Sequence, residues 1–169
     1  MAETSKNLIV SEAKASFLCN KDLAERAIAQ LSDDQLHVAL HPETNSVAVI
    51  MKHVAGNLLS RWTDFLTTDG EKPWRNRDSE FVDTFGSRAE ALAFWQRGWE
   101  CLEFALDSLR TEDLGKQVTI RGEVLSVPLA LCRSLAHCGY HAGQIVLISR
   151  ILVGDGWQTL TIPRAGSRA

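Results

Sequence analysis

Two histidines four residues apart, His137 and His141, stand in the stretch Arg133 to Arg150. On a helix that spacing puts both imidazoles on one face about one turn apart, within reach of one metal ion. A third, His53, stands at the edge of an apolar stripe, with Asn57, Ser60 and Asp64 following it at spacings of three and four. One imidazole from a facing helix completes three protein ligands, the count that leaves a position open for chemistry. Such a centre can lower the pKa of bound water towards 7 and hydrolyse, or hold a thiolate and present it to an electrophile. Zinc suits imidazole ligands, and nickel or iron suits them too. No single residue declares itself as the base.

The helix bearing the doublet reads as buried. Between Pro128 and Leu152 only Arg133 and Arg150 are charged, as expected of a helix enclosed by others. Gly139 and Gly143 are costly inside a helix and point to close backbone approach by a neighbour. A membrane span is disfavoured, because the run contains two His and a Gln and falls short of the roughly 20 apolar residues a bilayer needs.

Other polar residues have two readings each. Asn57 and Asp64 share the His53 face and could orient a ligand or bound water, while Asp64 could equally pair with Arg61. Arg75 and Arg77 could grip an anionic substrate group, or pair at the surface with Asp78 and Glu80. The second doublet, His37 and His41, is a poor site, since Pro42 disfavours helix at His41. Cys138 and Tyr140 flank the ligand face but point about 100° away from it.

These side chains need four helices to position them. Apolar residues recur at helical spacing from Ser5 to Leu31, Asn45 to Leu66, Ser87 to Arg110 and Val127 to Leu152. Ser87 and Glu90 have capping-box spacing, and the stripe after them is Leu92, Trp95, Trp99, Leu102, Leu106 and Leu109. Residues 67–86 have no helical period but hold Trp74, Phe81 and Phe85. A connection this long can retrace a helix, so the second and third helices could run parallel, with the segment covering the metal. Gly115 to Val127 reads as a short β-hairpin turning at Arg121-Gly122. After Leu152, Trp157, Leu160 and Ile162 are expected on the bundle, and a loose tail follows residue 163. The expected fold is an all-α four-helix bundle, one domain over 1–169, with a long crossover between helices two and three.

At 169 residues, 45% hydrophobic and 23% charged, the chain suits one soluble domain. A net charge of -3 and no basic stripe argue against nucleic acid. The N-terminus lacks a secretory pattern, so the cytoplasm is expected. Cys19, Cys101, Cys132 and Cys138 are scattered in helical text and read as reduced, buried thiols.

His53, the later H-x3-H with its continuation AGQI, the segments NSVAVIMKHVAGNLLSRWTDF and DGEKPWRNRDSEF, and the terminal GWQTLTIPR together resemble an uncharacterised branch of the DinB-like superfamily. The resemblance implies an up-down-down-up bundle, often a homodimer, with a divalent metal on the positions matching His53, His137 and His141. Some relatives join a low-molecular-weight thiol to an electrophile, and a related group performs thiol-dependent isomerisation. Others have no assigned activity, and the branch resembled here belongs with those. The three-histidine constellation together with the resemblance points to a metal-dependent thiol transferase or hydrolase acting on a small molecule, with a non-catalytic metal-binding or stress-response bundle as the alternative.

Overall fold

A computed structural model describes residues 8–163. The expected first helical turn at Ser5 and the tail after 163 lie outside them. The described chain is mostly helical: α1 (Leu8–Ile28), a single-turn α2 (Asp33–Leu36), α3 (Val47–Trp62), α4 (Arg88–Ser108) and α5 (Val127–Val153). None of these helices is long and apolar enough to cross a membrane.

Serine side chains set the starts. Ser46, Ser87 and Ser126 each accept a hydrogen bond from the backbone N–H three residues on, satisfying a donor that the first helical turn leaves unpaired. The Glu90 carboxylate reaches back to the N–H of Gly86 at 2.8 Å, one residue before the expected partner. Two helices end early. Ser32 opens a capping box with Gln35 and so starts α2, stopping α1 short of Leu31. Asp64 takes a left-handed φ of 48°, which ends α3 at Trp62 rather than Leu66.

The contacts give the helices their directions. Lys14 of α1 meets Asp107 of α4, and Trp95 of α4 donates to Glu25 of α1, so these two oppose each other. Gly98 and Cys101 of α4 face Ala55 and Thr63 at the α3 end, so α3 and α4 run in the same direction. Trp62 bonds Ser134 while His53 meets His137 and His141, so α5 opposes α3. Buried Phe17, Trp62, Trp95, Trp99 and Leu102 fill the space between them.

Several expectations need correction. Leu92 is exposed, and Ala91 takes the buried position in the α4 stripe. Trp157 and Leu160 pack on the body, whereas Ile162 is 92% exposed. Cys138 is buried, but Cys19 and Cys132 are exposed. α5 is flanked by α1 and α3 but not enclosed, leaving Leu129, Tyr140, Leu147 and Ile151 exposed. Gly143 meets nothing within 4 Å, and Gly139 only the Asn20 side chain. The tight approach occurs at Gly98 instead.

Strands β1 (Gln117–Ile120) and β2 (Glu123–Ser126) form an antiparallel hairpin. Arg121 and Gly122 at its turn have φ of 55° and 76°, as a two-residue type I′ turn requires. The Asp69 carboxylate accepts the N–H groups of both turn residues at 2.9 Å and that of Glu71 at 2.6 Å. It thereby ties the crossover to the hairpin.

Three substitutions test these contacts. A Cβ at Gly98 would lie 2.6 Å from the Ala55 Cα, so Gly98→Val should destabilise by about 1–3 kcal/mol through overpacking. Gly143→Ala should gain up to about 1 kcal/mol in helix propensity, and urea midpoints read both. The backbone donors from Glu71 and Gly122 hold Asp69 below its ordinary value of 3.8. Its contribution is therefore complete above that value and lost as pH falls through the lowered one. Asp69→Asn should flatten that acid limb in thermal melts across pH.

Candidate metal centre

His53 comes from the middle of α3, and His137 and His141 from successive turns of α5. One atom from each lies within 4.8 Å of the other two, close enough to hold a metal ion. The Nε2 atoms of His53 and His137 are 3.1 Å apart. That is near the roughly 3.3 Å edge of a tetrahedron whose arms have the about 2.0–2.1 Å length of zinc–imidazole bonds.

The crossover closes over His53. Its 3-10 turn (Asp78–Phe81) delivers two side chains. Glu80 accepts from His53 Nδ1 at 2.9 Å, and Phe81 stacks on the ring with centroids 4.9 Å apart. Arg75 in turn grips Glu80 with both prongs, Nε to Oε1 at 2.8 Å and a terminal nitrogen to Oε2 at 2.9 Å. The Arg75 side chain is only 2% exposed, so this pair is isolated from water. Gly56 makes the packing feasible, because a Cβ there would lie 2.9 Å from the Glu80 Cδ. Burial pushes the Glu80 carboxyl up, but the hydrogen bonds from His53 and Arg75 and their charges outweigh it and leave it below the ordinary range.

These partners fix tautomers. An ionised carboxylate only accepts, so His53 Nδ1 carries the proton and Nε2 offers a lone pair. His141 Nδ1 lies 2.8 Å from the Gln144 carbonyl oxygen, whose amide nitrogen donates to Tyr140. Nδ1 of His141 is therefore the donor, and its Nε2 is also a lone pair. His137 is the odd member, since its Nδ1 is buried and unpartnered. If its Nε2–H bonds His53, that Nδ1 is an unsatisfied acceptor. If Nδ1 carries the proton, two Nε2 lone pairs face each other. Protonating the ring is costly, because burial, with His141 and His53 next, pushes His137 down to about 3. Burial and His53 likewise push His141 down to about 4, against the Gln144 hydrogen bond. Neutral imidazoles with converging lone pairs fit a divalent cation.

A family model described as a protein of unknown function, DUF1572, matches residues 4–166. The chain belongs to this family. No curated protein matches it. A conserved protein from Enterococcus faecalis, known from a crystal structure, superposes with a TM-score of 0.65 at 15% identity, covering 85% of this chain and 96% of its own. The likeness shows a shared fold.

Other residues singled out in this DUF1572 chain are dispersed. Asn57 joins His137 in lining a depression between α3 and α5. Asp64 lies beyond the end of α3 and lines a different hollow with Cys101 and Phe104. Its suggested partner Arg61 pairs with Glu71 at 3.0 Å. Arg75 is turned inward onto Glu80, and Arg77 is exposed with its guanidinium 5.0 Å from the Phe81 ring centre. His37 pairs with Asp83 at 2.7 Å, and His41 accepts from the N–H of Glu43. Sequence reasoning missed Glu80, Gln144 and Gly56 as parts of the centre. The spacing of Gln144, three residues after His141, was the available signal for the second.

His53→Ala and His137→Ala should each abolish stoichiometric metal uptake in elemental analysis. Glu80→Gln should keep the fold and weaken metal affinity about 10–100-fold, as loss of a carboxylate behind a ligating histidine does. Competition with a chromogenic chelator measures it, and unchanged affinity would remove Glu80 from the centre.

Proposed function

We propose that this protein binds one divalent metal, zinc by preference over nickel or iron, through His53, His137 and His141. On this reading it uses the metal in thiol transfer or hydrolysis on a small molecule. The observation that carries it is His137, whose two ring nitrogens no tautomer can satisfy against His53 and a buried, partnerless Nδ1. Agreement with the DinB-like pattern supports it, as do helix directions consistent with an up-down-down-up four-helix bundle. We further take the chain to be a cytoplasmic homodimer, with the exposed Tyr140, Leu147 and Ile151 on α5 as apolar surface for a second copy.

A metal in such a cage supplies an acidified water or thiol ligand and a Lewis acid. The chain supplies the rest. Arg75 keeps Glu80 anionic, Glu80 holds the His53 proton on Nδ1, and Gln144 does the same for His141. Phe81 covers the His53 ring and keeps water from that side. Reaction would proceed beside His137, which lines the depression.

The sealing of the His53 side favours one rival, a non-catalytic metal-binding or stress-response bundle. Cobalt(II) substitution separates the two. On the catalytic reading, azide or an exogenous thiol changes the visible spectrum of the cobalt protein. Zinc-loaded protein then turns over thiol and electrophile pairs or activated esters, with at least tenfold loss in His137→Ala. A cobalt spectrum indifferent to both ligands would leave the structural reading standing.

A further inference from the structure

The depression beside His137 has its own chemistry. It holds about 150 Å³, a volume that accommodates a benzene ring. Trp62, Phe65 and Ile120 give it apolar walls, and its polar lining is Arg61, Arg133, Ser134 and Asn57. No carboxylate is among the lining residues.

That polar lining is rich in unused donors. Arg133 spends one terminal nitrogen on Glu123 at 2.9 Å, and Arg61 one on Gly70 and Glu71. Each guanidinium keeps further N–H groups. Ser134 accepts the Trp62 indole N–H at 3.3 Å, which leaves its own proton to donate. Asn57 has its amide open. Four donor groups over an apolar cleft, beside three histidines that fit a dication, complement an anion with an apolar body. A carboxylate can take the guanidinium N–H groups that Glu123, Gly70 and Glu71 leave free, in charge-assisted hydrogen bonds that a neutral ligand cannot match.

We propose that this depression is the organic-ligand pocket of the centre and takes a small organic carboxylate with an apolar body about the size of one ring. The hairpin belongs to the pocket through Ile120, which Asp69 sets in place by holding the adjacent turn. The role of the pocket in a reaction rests on the metal-centred reading above. Its ligand selectivity does not.

Benzoate is the probe, with acetate as the anion that cannot fill the cleft and benzamide as the neutral isostere. Calorimetric titration of zinc-reconstituted protein should show benzoate binding at least tenfold tighter than either. Arg133→Gln, a change at a half-exposed side chain, should erase most of the preference over benzamide. Asn57→Leu, which fills the cleft, should erase the preference over acetate. Equal affinities for the three probes, or a benzoate preference untouched by both variants, would overturn the proposal. Zinc content is read on the same samples. Selective benzoate binding by protein that takes up no zinc would sink the metal reading and keep the pocket, and one zinc per chain without selectivity would do the reverse.

Discussion

The contact on which the centre depends is the hydrogen bond from His53 to Glu80. Both groups are buried, with side chains 8% and 7% exposed, and an unpaired carboxylate at that depth would be strongly destabilising. Arg75 removes the difficulty with a two-pronged grip, which makes the segment carrying Arg75 and Glu80 inseparable from α3. A loop that merely connected α3 to α4 would have no reason to bury three charged or titratable groups together. Here the buried network closes the bundle and orients the His53 imidazole at once.

The rest of the crossover follows the same rail. Lys52, Gly56 and Ser60 recur every four residues along one face of α3. The Lys52 ammonium donates to the carbonyls of Ser79 and Val82 and to the Thr84 hydroxyl, each at 2.8 Å. Gly56 leaves room for Glu80, and Ser60 donates to the Gly70 carbonyl at 2.7 Å. The segment is thus pinned at both ends and the middle of α3, running back along it. This return path is what lets α4 start at the same end as α3 and run beside it. At the far end Asp69 extends the attachment to the hairpin, so crossover, α3 and hairpin form one body around the histidines.

Much of this was legible because helices announce themselves through period. The four long helices, the serine caps of α3, α4 and α5 and the Arg121-Gly122 turn follow from local rules, and the histidine doublet follows from the pitch of a helix. What was not legible lies where tertiary contacts override local pattern. Arg75 and Glu80 sit in a segment without period, where an arginine near a carboxylate is ordinarily a solvated pair. Nothing local shows that this pair faces a histidine. Gly139 and Gly143 read as packing glycines by composition alone, yet the close approach belongs to Gly98, whose partner Ala55 is on another helix. Asp64 kept its helical register in the sequence and lost it in the fold, because α3 ends at Trp62 and Asp64 itself takes a left-handed φ.

The division of the three histidines bears on how such a centre can work. His53 is held from behind by a carboxylate and covered by Phe81, so it is the rigid member. His141 has a softer anchor, the neutral amide of Gln144, itself braced by the exposed Tyr140. His137 has no side chain behind its Nδ1, and it alone of the three lines the donor-rich cleft. The three histidines thus grade from rigidly held to unanchored, and the unanchored one stands beside the cleft. The buried Nδ1 of His137 is left without a partner, a cost that the network of Arg75, Glu80 and Gln144 around the other two rings is rigid enough to sustain.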